Sequence, residues 1–445
     1  MRTYPRSQGA RKVLLPVVAA LSVTVAACGG SGAAGSGSGN SAGGGGAQAA
    51  GPVKCGPGNG GKATGTPIKL GAIVTKQPGT DFTDISNMAK AYFECVNDNG
   101  GVRGHPIKYL VETEQTDPGQ DASLARKLIE SEGVLGMVGN TSIIDCAVNH
   151  KYYEKQGIYV IGAGIAPECW STPNNATVNM GPRFSVDGAV QYVIRQDAKK
   201  IILDQAKVPG AGWIADGTKA IAKDAGVPTV TLAENVPIQD ANSIALKLVQ
   251  AAGDDGAVVI NFTPPEALKI LQAAQRLGLE DRVIWACGTT CNTDFLAKAL
   301  GSRWDGKLGI NAELSLYDAK GKDLELYRAV RQKYAPSLPL GSFSQMGFVA
   351  AVIAVSALQD VEGKYTVESV NKAFVSVKNY HTDLLCDPWY YGHAPLHITN
   401  NTDITVTPQG DHMVKKEGCH DISAVDPLIA KVRKIEKKHP ELTGR

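Results

Sequence analysis

From Pro67 onward, short runs of β-branched and apolar residues alternate with longer stretches whose apolar positions recur every three or four residues. Continuous apolar runs mark buried strands and a 3.6-residue period marks helices, so the alternation predicts βαβ units around parallel sheets. A first set reads as strand 68–74, helix 83–97, strand 107–112, helix 121–132, strand 134–138, helix 143–156 and strand 158–161. The pattern then restarts with helix 186–197, strand 200–204, helix 211–225, strand 229–232, helix 241–252, strand 257–261, helix 265–277 and strand 283–285. Two successive sets of similar size predict an α/β fold of two doubly wound parallel-sheet lobes. After residue 314, helices 323–334, 343–359 and 367–377 follow without strong strands between them and are expected to return over the first lobe. Residues 387–414, rich in Tyr, Thr, His and Pro, read as irregular strands and a hairpin crossing between lobes.

The start of the chain is patterned differently. Arg2, Arg6, Arg11 and Lys12 precede an uncharged stretch that closes on Val25-Ala26-Ala27-Cys28. A basic start, a short apolar core and small residues before a cysteine fit a bacterial lipoprotein signal, in which the Cys28 thiol is acylated and becomes the new N-terminus. About 15 apolar residues are too few to cross a hydrocarbon core of roughly 30 Å comfortably. The mature chain is therefore expected on the extracytoplasmic face of the cell membrane, held to the lipid bilayer through Cys28. The Gly, Ser and Ala runs that follow bury too little surface to offset ordering entropy and read as a leash. The expected division is 1–27 signal peptide, 28–65 tether, 66–183 with 314–400 lobe 1, 184–313 with 401–422 lobe 2, and 423–445 a basic C-terminal helix and tail. The apolar segment 348–358 is expected to be a buried helix rather than a membrane span.

Charge narrows the partners. The chain has 45 basic and 43 acidic residues, and removing the four basic residues of the signal leaves 41 against 43. A near-neutral chain argues against nucleic acid; the basic run 431–438 reads as a solvated face of an amphipathic helix. Nine cysteines less Cys28 leave Cys55, Cys95, Cys146, Cys169, Cys287, Cys291, Cys386 and Cys419. An even number in an oxidising compartment points to four disulfides. Of the 105 connectivities that eight cysteines allow, sequence proximity favours Cys55 with Cys95, Cys146 with Cys169, Cys287 with Cys291, and Cys386 with Cys419. No C-x-x-C pair is present, so neither zinc nor another metal is expected, and no cofactor is called for. G-x-S-x-G is absent, and His393 and His397 flank a proline that keeps them off one helical face. A catalyst is the least favoured reading.

In open parallel sheets, ligands meet loops beyond the C-terminal ends of strands, where helix N-termini present unpaired N–H groups. Five loops qualify. Residues 76–82 hold Gln77 and Thr80; residues 139–142 hold Asn140, Thr141 and Ser142; and residues 162–170 hold Ala163 and Gly164. Residues 205–213 hold Pro209 and Trp213, and residues 262–266 hold Thr263 and Glu266. Thr141 or Ser142 could equally be a helix N-cap, and Glu266 could simply favour the first turn of its helix.

Residues Asn97-Asp98-Asn99-Gly100-Gly101-Val102-Arg103-Gly104, followed by Thr116-Asp117-Pro118, resemble the type I periplasmic binding proteins of the leucine/isoleucine/valine receptor group, over about 67–420. The resemblance implies a solute receptor of an ABC importer, with permease and ATPase subunits as partners. It implies two lobes joined by a three-segment hinge near 181–186, 312–316 and 395–402. It also implies a small amino acid-like, amide or carboxylate ligand held between the lobes by a monomeric protein. The family's carboxylate-binding loops match residues 139–142 and 163–165, and its ammonium-binding glutamate matches Glu266. Val208-Pro209-Gly210 stands where amino-acid receptors have a tyrosine, and Ile165 where they have a threonine. Both departures remove polar groups that hold an α-amino acid. A ligand-sensing subunit reporting to a membrane signalling partner is the alternative.

Overall fold

The computed structural model describes residues 53–58 and 60–443. The predicted apolar runs become strands, and those inside the sheets, such as Ile201–Ala206 and Ala257–Asn261, are buried on both faces, as parallel sheets flanked by helices require. The first lobe contains β1 (Ile68–Gln77), β2 (Thr80–Asp81), β3 (Ile107–Glu114), β4 (Met137–Val138), β5 (Val160–Gly162) and β6 (Asn175–Thr177). Its sheet order is β3-β1-β4-β5-β6, parallel throughout, with β2 folding back antiparallel on the end of β1. The second lobe contains β7 (Ile201–Ala206), β8 (Thr229–Glu234), β9 (Ala257–Asn261), β10 (Ile284–Cys287), β11 (Leu308–Ala312), β12 (Thr402–Gln409) and β13 (His412–Asp421). Its order is β13-β12-β11-β10-β9-β7-β8, with β11–β12 and β12–β13 antiparallel and the other pairs parallel. The chain passes between sheets after β6, after β11 and before β12, forming the three-segment hinge.

The helices are α1 (Thr83–Asp98), α2 (Pro118–Arg126), α3 (Asp145–Gln156), α4 (Gly181–Arg195), α5 (Ala211–Asp224), α6 (Ala241–Ala252), α7 (Pro264–Arg276), α8 (Asp294–Leu300), α9 (Lys322–Tyr334), α10 (Ser342–Gln359), α11 (Val367–Val375) and α12 (Pro427–Glu436). Helices α9, α10 and α11 do return to the first lobe. Among the described residues, α10 is the one helix long and apolar enough to cross a membrane, and it is packed inside that lobe. It lies so close to α1 that a Cβ on Gly347 would sit 1.9 Å from the Ile85 carbonyl oxygen. The Tyr92 and Phe348 rings meet edge to face at 5.2 Å.

The Asn97–Gly104 motif earns its residues. The Asn97 side chain brackets Ile107, accepting from its N–H at 2.7 Å and donating to its carbonyl at 2.9 Å. Gly101 has φ +66°, and a Cβ there would meet the His105 carbonyl oxygen at 2.3 Å. These contacts set where β3 starts beside β1. Asp117 then caps α2 by accepting from Gln120 N at 2.7 Å, with Pro118 at the first helical position.

Three parts of the pattern went unrecognised. Strand β6 reads Asn-Ala-Thr and carries no apolar signal, yet is buried. Strand β11 reads Leu-Gly-Ile-Asn-Ala, and Gly309 leaves room for the Tyr192 ring, which a Cβ would meet at 2.0 Å. Helix α8 is only seven residues long. The expected leash also ends sooner than residue 65. Val53 and Cys55 are buried, and the N–H groups of Gly60 and Ala63 donate to Asn99 and Asn97 carbonyls at 3.2 and 2.9 Å. The segment is pinned by the Cys55–Cys95 disulfide. The other bridges are Cys146–Cys169, Cys287–Cys291 and Cys386–Cys419, the pairing that sequence proximity favours. The signal peptide, Cys28 and most of the tether lie outside the described residues.

Candidate functional site

The C-terminal ends of both sheets face each other across a cavity that leaves about 90 Å³ for the centres of water-sized spheres. Contacts between the lobes cross its mouth. Thr263, capping α7, donates its hydroxyl to the Gly79 carbonyl at the β1–β2 turn, 3.1 Å away. Gly79 itself, at φ +77°, fits so tightly over the Val236–Pro237 segment that a Cβ would lie 2.9 Å from Pro237 N. Phe82 and Phe343 meet edge to face at 5.5 Å on the first-lobe side.

Five of the sequence-predicted residues line the cavity: Thr80, Thr141, Ala163, Pro209 and Thr263. The other six do not. Ser142 precedes α3 and holds its start, its oxygen accepting from Ile144 and Asp145 N–H at 3.0 Å while its hydroxyl donates to Glu114 at 2.9 Å. Asn140 is held behind the cavity wall by Ile73 N and Asp145. Gly164 sits with its N–H on Asn179 Oδ1 at 2.8 Å. Gln77 accepts from the Thr116 hydroxyl at 3.0 Å, beyond the mouth. Trp213 stacks near Trp170, with ring centroids 5.4 Å apart, and lies under the Arg183 guanidinium.

Glu266 is the main correction in placement. Its carboxylate accepts from Ile238 N–H at 2.7 Å and from the Lys269 ammonium at 2.8 and 2.9 Å. It is 4% exposed and is not among the cavity-lining residues. The physical reason is helical geometry: Lys269 stands three residues on, on the same face, and the N–H of the Pro237 loop lies within reach.

What the loops add is mostly apolar. Ile143, Ile165 and Met346 from the first lobe face Val208, Ile214 and Phe262 from the second. Ile165 and Val208-Pro209-Gly210, where the family resemblance leads one to expect a threonine and a tyrosine, line the cavity. The lining residues include no lysine, arginine or histidine.

One carboxyl group reaches this space. Glu313 follows β11 at the hinge, is 1% exposed and lines the cavity. One of its oxygens accepts from Met180 N–H at the start of α4, and the other has no hydrogen-bond partner. Burial pushes its pKa up to about 8, against the opposing pull of the Met180 and Gly181 N–H groups and of nearby Thr289. The Thr289 hydroxyl is itself directed to Ser342 at 3.0 Å. The rule that ligands lie beyond strand ends would have flagged Glu313, had the short, glycine-broken β11 been recognised.

The comparisons agree with this architecture. The "Leu/Ile/Val-binding protein homolog 1" of Brucella suis is 27% identical over 247 residues, covering 54% of this chain and 65% of that protein, so the chain spans just under two thirds of that relative's length. Among solved structures, a fatty acid ABC transporter substrate-binding protein from Thermomonospora curvata is similar with a TM-score of 0.70 at 20% identity, covering 85% of this chain and 96% of that one. A branched chain amino acid ABC transporter from Thermus thermophilus with bound valine also gives a TM-score of 0.70, at 16% identity, covering 84% and 100%. These structural likenesses bear on the fold alone. Residues 67–418 match the family described as periplasmic binding protein, and the chain, with two α/β lobes closed over a shared cavity, belongs to that family.

Proposed function

We propose that the protein is a lipid-anchored, extracytoplasmic solute receptor of an ABC importer, and that it closes its lobes around a small, largely apolar molecule with one polar end. The observation that carries this reading is the largely apolar cavity between the lobes, bridged at its mouth by the Thr263–Gly79 contact. A ligand touching both lobes favours the closed form by its differential affinity for it, and Thr80, Thr141, Ala163, Pro209 and Thr263 would provide such contacts from both sides. The named relatives bind, by their titles, branched-chain amino acids or fatty acids. An apolar body is common to both classes and fits this lining. Acylation of Cys28 would keep the loaded receptor close to its permease.

Thermal-shift measurement on the mature protein against amino acids, aliphatic and aromatic acids, amides and amines tests the receptor reading. A ligand that binds only the folded state raises the melting temperature with concentration. Absence of a shift across all these classes would remove the reading. Replacement Cys28→Ser is expected to release the protein from the membrane fraction; retention there would remove the anchor.

A further inference from the structure

The lining of the cavity decides more than its apolarity. Main-chain donors that could meet an anionic ligand at the helix starts and loops are occupied. Around the α3 entrance, Ile143 N–H goes to the Thr75 hydroxyl at 2.9 Å, and Ile144 and Asp145 N–H go to Ser142. Ala163 N–H is bonded to the Asn140 carbonyl at 2.8 Å and Gly164 N–H to Asn179. On the opposite lobe, α7 begins with Pro264 and Pro265, which have no N–H to offer. Thr289 N–H is taken by the Ser185 hydroxyl at 2.7 Å. The N-terminus of α4 is turned on Glu313.

Two buried side-chain oxygens of the lining residues have no partner, Thr290 Oγ1 and one oxygen of Glu313. Of the two residues only Glu313 can carry charge, and it is one of the lining residues. A buried polar atom without a partner costs free energy unless something supplies the missing bond. The other polar lining residues, Asn261 and Thr290 among them, bring no charge. Building on the solute-receptor reading, we infer that the ligand's polar end is a primary ammonium group held by Glu313, and that the receptor takes small apolar amines lacking a carboxylate. An ammonium in this position gives the carboxylate a charge-assisted partner, while the aliphatic or aromatic body fills the hydrocarbon walls.

The same geometry couples binding to a proton. After burial, the charged neighbour that raises the Glu313 pKa is Asp403 of β12, while hydrogen bonding from the Met180 and Gly181 N–H groups and from Thr289 lowers it. With a pKa of about 8, Glu313 is mainly neutral at pH 7 in the unliganded cavity, and pairing with an ammonium ionises it.

Calorimetry on the mature protein with isopentylamine and phenethylamine, against leucine, phenylalanine, isovalerate and hydrocinnamate, tests the inference on matched skeletons. The amines are expected to bind with nearly one proton released per ligand at pH 7, read from buffers of different ionisation enthalpy. The release is expected to persist in Asp403→Asn. Glu313→Gln is expected to weaken amine binding about 10- to 100-fold; the wild-type proton count stands independently if that variant folds poorly. Tighter binding of the amino acids or the acids, an unchanged Glu313→Gln affinity, or no proton release would each overturn the amine assignment. Binding of acids alone would do so while leaving the receptor reading intact, whereas silence from all three classes would end both.

Discussion

Thr263 of the second lobe and Gly79 of the first are joined by a hydroxyl-to-carbonyl hydrogen bond of 3.1 Å across the cavity mouth. Because the two residues belong to different lobes, the bond exists only when the lobes are closed. Thr263→Val keeps the side-chain volume and removes the donor. A single neutral hydrogen bond is worth about 0.5–1.5 kcal/mol net, so ligand affinity is expected to fall roughly 2- to 10-fold. Gly79→Ala should cost more, because its φ of +77° strains an L side chain and the added carbon meets Pro237 N at 2.9 Å. Titration calorimetry on both variants checks the order. Equal and unchanged affinities would mean that the mouth contact has no part in closure.

Glu266 supports the loop around Pro237 rather than the cavity. It accepts from Ile238 N–H and is paired with Lys269. Glu266→Ala leaves that buried N–H unsatisfied and is expected to lower stability by about 1–3 kcal/mol, while ligand affinity stays within roughly twofold. Chemical denaturation and calorimetry read the two effects separately. A normal melting curve with lost binding of an amine-bearing ligand would instead restore the role that the family resemblance assigns to Glu266.

The two residues show where sequence reading succeeds and where it stops. Strands such as β9, Ala-Val-Val-Ile-Asn, announce themselves because a parallel sheet buries both faces, and the loops after them follow from chain order. Thr80, Thr141, Ala163, Pro209 and Thr263 were legible for that reason. Side-chain direction is not carried by position in a loop. Ser142 follows Thr141 directly, yet it turns inward to accept from the first N–H of α3 and meet Glu114. Glu266 is three residues beyond Thr263 but reaches its helical neighbour. Glu313 escaped notice because β11 contains Gly309 and Asn311, which dilute the apolar run, and because Asn311 is occupied by a long-range partner, Asp403.

The Cys386–Cys419 bridge is placed differently from the other three. Cys419 lies on β13 and is exposed, and Cys386 is half-buried, whereas the six remaining bridge cysteines are buried. Exchange requires a thiolate to reach a sulfur, so dithiothreitol without denaturant should open this bridge first. Alkylation followed by mass spectrometry is expected to label Cys386 and Cys419 ahead of the rest. The bridge also joins β13 of the second lobe to a segment anchored on the first, where Trp389 Nε1 donates to Thr177 at 2.9 Å and Asp383 accepts from the first turn of α9. Its opening should therefore raise the amplitude of lobe separation seen by small-angle scattering. Labelling of Cys146 or Cys287 first would refute the assignment of accessibility.

Asp187 sets a stability trend with pH. It is fully buried on α4, and neither carboxylate oxygen has a hydrogen-bond partner. Burial is the largest cause that raises its pKa well above the ordinary 3.8; neighbouring Asp426 adds to the rise, and Arg183 opposes it. Arg183 is already committed to Asp426, Nε to Oδ2 at 2.8 Å, so an ionised Asp187 would lack a counter-charge of its own. The folded chain thus keeps a proton that the unfolded chain releases near pH 3.8. Folding stability from this group is complete below that pH and declines as pH rises toward the raised folded value, where the loss levels off. Asp187→Asn removes the titration while retaining the shape, and its amide N–H can donate to Asp426. The variant should melt close to wild type at pH 3 and above it at pH 7, with the gap widening steadily between. A constant gap across that range would show that Asp187 is ionised in the folded protein.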